Sequence, residues 1–103
     1  MAKSKIVVVY PQPKNVEEFE KAYSEDHVSL AENIKGITKF VATRIVGTPD
    51  GSTPPFHRIA ELHFDSMADI QEAFADQSGQ AAAEHAISIS TGGTPLVMIA
   101  EED

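Results

Sequence analysis

The sequence predicts an α+β domain with the element order βαββαβ, which is the order of ferredoxin-like folds. Three observations predict it: two short apolar runs near the ends of the chain, two segments with period-two alternation, and two stripes with helical spacing. With 103 residues, the chain has room for one domain, spanning residues 1–103. We expect a four-stranded antiparallel sheet with both helices on one face.

The first strand and the first helix occupy the N-terminal third of the chain. Residues 5–10 form a nearly unbroken apolar, β-branched run that stops at Pro11. Asn15 followed by Glu18 is a capping-box pattern, which marks the start of a helix. The helical stripe that follows is Val16, Phe19, Tyr23, His27, Leu30 and Ile34. This spacing predicts a helix that ends near Gly36.

The middle of the chain predicts a hairpin with a long loop. Residues 37–46 and 56–64 are strands, and residues 47–55 contain three prolines and two glycines. Alternation along the third strand assigns its side chains to two faces. One face is predicted to hold His57, Ile59, Glu61 and His63, and the other Arg58, Ala60, Leu62 and Phe64.

The last third predicts a second helix, a shorter helical turn and a final strand. Ser66 and Asp69 form the next capping pattern, and the core stripe behind them is Met67, Ile70 and Phe74. The shorter turn is predicted at residues 78–87, and the last strand at residues 96–100.

Composition excludes several classes of function. The net charge is −8, and residues 59–103 carry nine acidic and no basic side chains, which disfavours nucleic acid and anionic membrane as partners. The chain has no cysteine, so disulfides, thiolate nucleophiles, iron–sulfur clusters and cysteine-bound zinc are excluded. Phosphate-loop, serine-elbow and HExxH motifs are absent, and no cofactor is predicted. The N-terminal apolar run is too short for a signal peptide or membrane span, so we expect a cytosolic protein.

The apolar strands predict a homodimer. A sheet with one face in water should show polar residues at every second strand position. The runs IVVVY and LVMIA show none. We therefore expect a second copy of the chain to cover the face away from the helices, closing a barrel across a two-fold axis.

His27 is the most unusual residue of the first helix, because it lies on the apolar stripe one turn after Tyr23. Two interpretations remain open: a core histidine that bonds a backbone carbonyl, and an imidazole that reaches a cleft for acid–base chemistry near neutral pH. His85 follows a run of alanines and is expected to face solvent.

The third strand offers a second polar cluster at Glu61 and His63, which His27 could join. His57 and His63 lie about 20 Å apart along a strand, so they cannot share a metal ion, and no metal site is predicted. Arg44, on the second strand, could pair with Glu61 or hold an anionic ligand, and the favoured alternative is an ion pair at the sheet edge.

Segments along the whole chain resemble the EthD family of small dimeric α+β barrel proteins. The most specific are the Tyr23-x-x-x-His27 step, the strand IAEL running into FDS, and the late TGG before the last strand. His63 departs from the bulky aromatic residues common there. The resemblance implies a ferredoxin-like homodimer, and the family name derives from ethyl tert-butyl ether degradation alongside a cytochrome P450 system. Similar barrels include monooxygenases, cyclases, isomerases and decarboxylases, and distant relatives bind haem.

Together these observations suggest a protein of catabolism or tailoring that binds a small apolar organic molecule between the helices and the barrel interior. His27 would be the proton shuttle and Tyr23 the orienting hydroxyl. The expected binding residues are Tyr10, Arg44, Glu61 and His63. The alternatives are a non-catalytic accessory protein of a P450-type system and a haem-binding barrel with His27 or His63 as axial ligand.

Overall fold

The computed structural model describes residues 3–103 and contains a four-stranded antiparallel sheet. The strands are β1 (Ser4–Pro11), β2 (Lys39–Arg44), β3 (Phe56–Phe64) and β4 (Leu96–Glu101). Their order is β2-β3-β1-β4, and every neighbouring pair is antiparallel. The α+β ferredoxin-like prediction is confirmed.

Five helical segments pack on one face of this sheet. The N-terminal helical group consists of α1 (Val16–Ala22), a π-helical turn (Tyr23–His27) and α2 (Val28–Glu32). The C-terminal helical group, on the same face of the sheet, consists of α3 (Met67–Ala75) and α4 (Gln77–Ile89). Within residues 3–103, no helix combines the length and apolarity needed to cross a bilayer.

The two predicted helix starts are confirmed by their caps. The side chain of Asn15 accepts a hydrogen bond from the backbone N–H of Glu18, and that of Ser66 accepts one from Asp69. Each cap satisfies a backbone donor that the first turn of a helix leaves without a partner.

Two features of the helices differ from the prediction. The first helix is not uniformly α-helical, because the backbone N–H of Val28 donates to the carbonyl of Tyr23, five residues earlier. The predicted short turn at residues 78–87 is a full helix of 13 residues. It begins directly after Asp76, whose side chain accepts from the backbone N–H of Ser78. His85 lies on this helix, which packs against the N-terminal helical group.

The core lies between the helices and the inward face of the two central strands. Ser4, Ile6, Val8 and Tyr10 of β1 are buried there, as are Ala60, Leu62 and Phe64 of β3. Phe74 was predicted to join this core but is 43% exposed. The buried residues of α3 are Ile70, as predicted, and Ala73, which was not predicted.

A β-bulge changes the predicted faces at the start of β3. Tyr10 lies opposite Arg58 while Pro11 lies opposite Phe56, so His57 is an extra residue in this strand. A bulge lets two consecutive side chains leave the regular alternation. His57 therefore contacts the helical layer with Arg58, and its predicted grouping with Glu61 and His63 is wrong.

The opposite face of the sheet is largely apolar, and no helix within residues 3–103 covers it. Val7 and Val9 of β1 point to this side, next to Leu96 and Met98 of β4. Leu96, Val97, Met98 and Ile99 are each 46–55% exposed, so β4 presents apolar side chains on both of its faces.

Candidate functional site

A cavity of about 110 Å³ lies between the inward face of the sheet and the helices, chiefly α4. Among the described residues that line it, only Tyr10 and His27 have polar side chains. The apolar lining includes Ile6, Val8, Leu62, Ala82, Ala86 and Val97. The small side chains of α4 leave this space open, because alanine carries no atoms beyond Cβ to fill it.

Tyr10 and His27 reach the cavity from opposite layers and bond each other. Tyr10 is the last inward position of β1, and His27 is the last residue of the π-helical turn. Their side chains are 0% and 4% exposed, and the Tyr10 hydroxyl lies 3.2 Å from His27 Nε2. Two buried polar groups thereby satisfy each other in an otherwise apolar layer.

His85 is the third member of this cluster, although it was expected to face solvent. Its Nδ1 lies 3.1 Å from Nδ1 of His27. The ring planes differ by 13° and the centroids are 5.2 Å apart, so the rings meet edge to edge through these nitrogens. The helical spacing Ala82, His85, Ala86, Ile89 was the sequence signal for an inward position. It went unused because His85 was assigned to the last turn of the predicted segment and expected to face solvent there.

Burial sets the charge states of His27 and Tyr10. It lowers the pKa of His27 to about 4, with a smaller contribution from the neighbouring His85. It raises the pKa of Tyr10 well above its ordinary value, and the nearby Tyr23 adds to this rise. Both side chains are therefore uncharged at neutral pH, and the bond between them joins a phenol to a neutral imidazole.

Tyr23 does not orient His27 through its hydroxyl. Its ring packs 5.5 Å from the ring of His27 and 5.8 Å from that of Tyr10. Its hydroxyl is buried and bonds no described residue, and burial raises the pKa of Tyr23 to about 12. The guanidinium of Arg58 lies 4.7 Å above its ring, a cation–π contact.

A second polar cluster surrounds Glu20 of α1. Its carboxylate accepts hydrogen bonds from Arg58 Nε and Nη2, at 2.8 and 2.7 Å, and bonds His57 Nε2 at 3.0 Å. The bond from Arg58 is the main reason that the pKa of Glu20 falls to about 2. This cluster anchors α1 to β3. The bulge that creates it gave no signal in the strand alternation.

The other predicted binding residues lie away from the cavity. Glu61 bonds Lys5 and His63, each at 3.1 Å, on the sheet face that carries no helices. The sheet thus separates Glu61 and His63 from His27, and the predicted grouping of the three is wrong. Arg44, on the edge strand β2, is 58% exposed and lies 3.9 Å from Glu20, which is the predicted ion pair at the sheet edge. The alternative pairing of Arg44 with Glu61 is wrong. Among residues 3–103, no three potential ligands come together to hold a metal ion.

These features define a class of protein: a ferredoxin-like α+β domain with an apolar cavity and a buried phenol–imidazole pair. The sequence model of the EthD domain family matches residues 12–87, and the chain therefore belongs to the EthD family. It is 32% identical over 98 residues to an 11.0 kDa protein of the thcB–thcC intergenic region of Rhodococcus erythropolis, covering 95% of this chain and 94% of that protein.

Solved structures agree with this assignment. An EthD-family protein of Bacillus halodurans superposes with a TM-score of 0.92 at 30% identity, covering 100% of both chains. A protein of Bacteroides fragilis, described as dimeric and ferredoxin-like, gives a TM-score of 0.68 at 15% identity over 97% of this chain and 96% of that one. The latter likeness shows the fold alone.

The buried position of His27 predicts an unusual titration. We expect its ring to remain neutral until the pH approaches about 4, whereas an unfolded chain protonates its histidines near 6.5. At pH values between about 4 and 6.5, the His27 ring is therefore protonated in the unfolded state and neutral in the folded state. The free energy of unfolding consequently falls as the pH is lowered through this range. The fall is up to about 1.4 kcal/mol per pH unit.

NMR titration of the ring protons measures this midpoint directly, with His27→Asn to assign the resonance. The same variant should show a shallower loss of stability between pH 6.5 and 4. A midpoint near 6.5 for His27 would contradict the assignment of a buried, desolvated ring.

Proposed function

We propose that this domain binds a small apolar organic molecule in the cavity and that the Tyr10–His27 pair moves a proton to or from it. One observation carries the proposal: the two polar side chains of an otherwise apolar cavity bond each other. Concave apolar sites with a few convergent polar groups are the usual form of small-molecule sites.

The size of the cavity limits what enters it. An engineered apolar cavity of about 150 Å³ holds benzene. The present cavity of about 110 Å³ therefore suits a small ring or branched alkyl group, with the remainder of a larger ligand in the mouth. Phe74, Ile87 and Val97 line the cavity while each remains 43–59% exposed, which places them at that mouth.

The neutral pair suits proton transfer without a buried charge. The Tyr10 hydroxyl can donate to a ligand oxygen or accept from it, and the His27 imidazole can replace or remove the proton of Tyr10. In this proposal Tyr10 takes the orienting role that the sequence suggested for Tyr23, because its hydroxyl bonds His27 and lines the cavity.

The residues do not fit a haem group. Both ring nitrogens of His27 are already engaged, by Tyr10 and His85, which leaves neither for an axial bond. His63 lies on the other side of the sheet and bonds Glu61. A cavity of about 110 Å³, which suits a single small ring, also has no room for the four-ring porphyrin.

Family membership supports a role in the catabolism or tailoring of small organic molecules. We propose that the protein acts in the cytosol. The family is named for ethyl tert-butyl ether, a small branched apolar molecule. A branched alkyl group of that kind matches both the volume and the apolar lining of the cavity.

We also propose that the chain forms a homodimer through the sheet face that carries no helices. Val7, Val9, Leu96 and Met98 lie side by side on that face. Exposed apolar patches of this kind mark interfaces, and the dimeric ferredoxin-like relative described above supports the same arrangement.

Filling the cavity tests ligand binding. Benzene should shift the NMR resonances of Ile6 and Val8, and Ala82→Leu should weaken this binding at least tenfold because the larger side chain occupies the space. Ala81→Leu is the matched control, since Ala81 is the exposed neighbour on the same helix and does not line the cavity. Equal benzene binding by the wild type and Ala82→Leu, with both folded, would place the ligand elsewhere.

Substitutions of the polar pair separate catalysis from carriage. In a turnover assay found by screening small apolar carbonyl and hydroxyl compounds, His27→Asn and Tyr10→Phe should lower kcat about 10²- to 10⁴-fold. Benzene binding should persist in both variants. Tyr23→Phe should keep its turnover, because the Tyr23 hydroxyl bonds no described residue. A fully active His27→Asn variant would leave a binding protein without proton transfer.

A charge on the sheet face tests the dimer. Sedimentation at micromolar concentration should show two chain masses for the wild type and one for Met98→Glu, because the carboxylate would be buried without a partner. Ile99→Glu is the control on the opposite face of β4, at 48% exposure against 46% for Met98. A single chain mass for the wild type, or dissociation by Ile99→Glu alone, would contradict the proposed interface.

A further inference from the structure

We propose that His85 is the solvent-side member of a proton relay, Tyr10–His27–His85, which connects the buried hydroxyl with bulk water. The inference rests on the proposed function for its purpose, since the relay would serve a ligand at Tyr10. Its geometry and its test do not require a ligand.

The three side chains form an unbroken path from the cavity toward the surface. Tyr10 Oη lies 3.2 Å from His27 Nε2, and His27 Nδ1 lies 3.1 Å from His85 Nδ1. Tyr10 is fully buried, His27 is 4% exposed, and His85 is only partly buried. Among residues 3–103, His85 Nε2 forms no hydrogen bond, so this nitrogen is free to exchange with water.

Hydrogen-bond rules couple the two histidines. If Tyr10 donates to Nε2 of His27, then His27 holds its proton on Nδ1 and donates it to Nδ1 of His85, which holds its own proton on Nε2. If the hydrogen bonds point in the other direction, His85 donates from Nδ1 to Nδ1 of His27, and His27 donates from Nε2 to Tyr10. In either direction the two neutral rings are opposite tautomers.

Switching between these two directions moves one proton with all atoms balanced. Tyr10 gives its phenolic proton to a ligand oxygen, and the Nε2 proton of His27 replaces it. The Nδ1 proton of His85 then passes to Nδ1 of His27, and Nε2 of His85 takes a proton from water. Tyr10 and both histidines end neutral, and the ligand has gained one proton from solvent. The reverse sequence removes a proton from the ligand.

The relay explains how proton transfer is possible in an apolar site. Burial disfavours both the His27 cation and the Tyr10 phenolate, so neither side chain alone can hold the charge left by a proton transfer. With His85 as the solvent-side member, the ligand changes by one proton, and the compensating charge appears in water rather than on Tyr10 or His27. The substrate class that follows is a small apolar molecule with a carbonyl or hydroxyl oxygen that gains or loses a proton.

NMR of the ligand-free, ¹⁵N-labelled protein at pH 7 to 8 tests the relay directly. We expect opposite tautomers for His27 and His85, and a scalar coupling across the hydrogen bond between their Nδ1 atoms. The same tautomer at both rings, or no coupling between these nitrogens, would overturn the relay. Neither result depends on whether benzene enters the cavity, so failure of the relay and failure of the proposed function are distinguishable.

A variant tests the function of His85 as the outlet. His85→Gln should slow exchange of the His27 ring N–H with water at least tenfold, because an amide cannot pass a proton on. Glu84→Gln, the exposed neighbour on α4, should leave that exchange unchanged. Wild-type exchange in a folded His85→Gln variant would overturn the proposal, and the tautomer measurement on the wild type tests it even if that variant fails to fold.

Discussion

The hydrogen bond between the Tyr10 hydroxyl and the His27 imidazole gives each of these two buried polar groups a partner beside an apolar cavity. Leaving either without a partner would cost about 1–3 kcal/mol in a domain whose total stability is of the order of 5–15 kcal/mol. The bond between Tyr10 and His27 therefore constrains the position of the N-terminal helical group against β1. The π-helical turn that ends at His27 is part of this fit, since it changes the helix path where the imidazole meets the sheet.

The sheet separates the molecule into two chemical compartments. On the helical side lie the cavity, the Tyr10–His27–His85 cluster and the ionic cluster around Glu20. On the other side lie the apolar face and the contact of Lys5 and His63 with Glu61. A covering partner would therefore leave the inner cluster's contacts intact, so assembly and ligand chemistry can be altered independently.

The sequence predicted the regular parts of this fold because they follow from short-range rules. Alternation placed β3, and the polar residues before the helices placed their caps, at Asn15 and Ser66. The irregular parts depend on tertiary packing and left no periodic signal. The bulge at His57 and the π-helical turn each change a side chain's direction through one backbone irregularity. His27 was identified as a candidate from its position on an apolar stripe, and Tyr10 was expected to line the site. The bond between them and the inward position of His85 required the structure.

The central claim is that an apolar space lies against the Tyr10–His27 pair and accepts an apolar guest. A crystal structure determined under xenon pressure tests this most directly, because xenon occupies apolar cavities without forming hydrogen bonds. The account predicts a xenon atom between β1 and α4, in contact with Tyr10 or His27 and with Ala82. A space filled by hydrogen-bonded water, or xenon found only outside this layer, would contradict it.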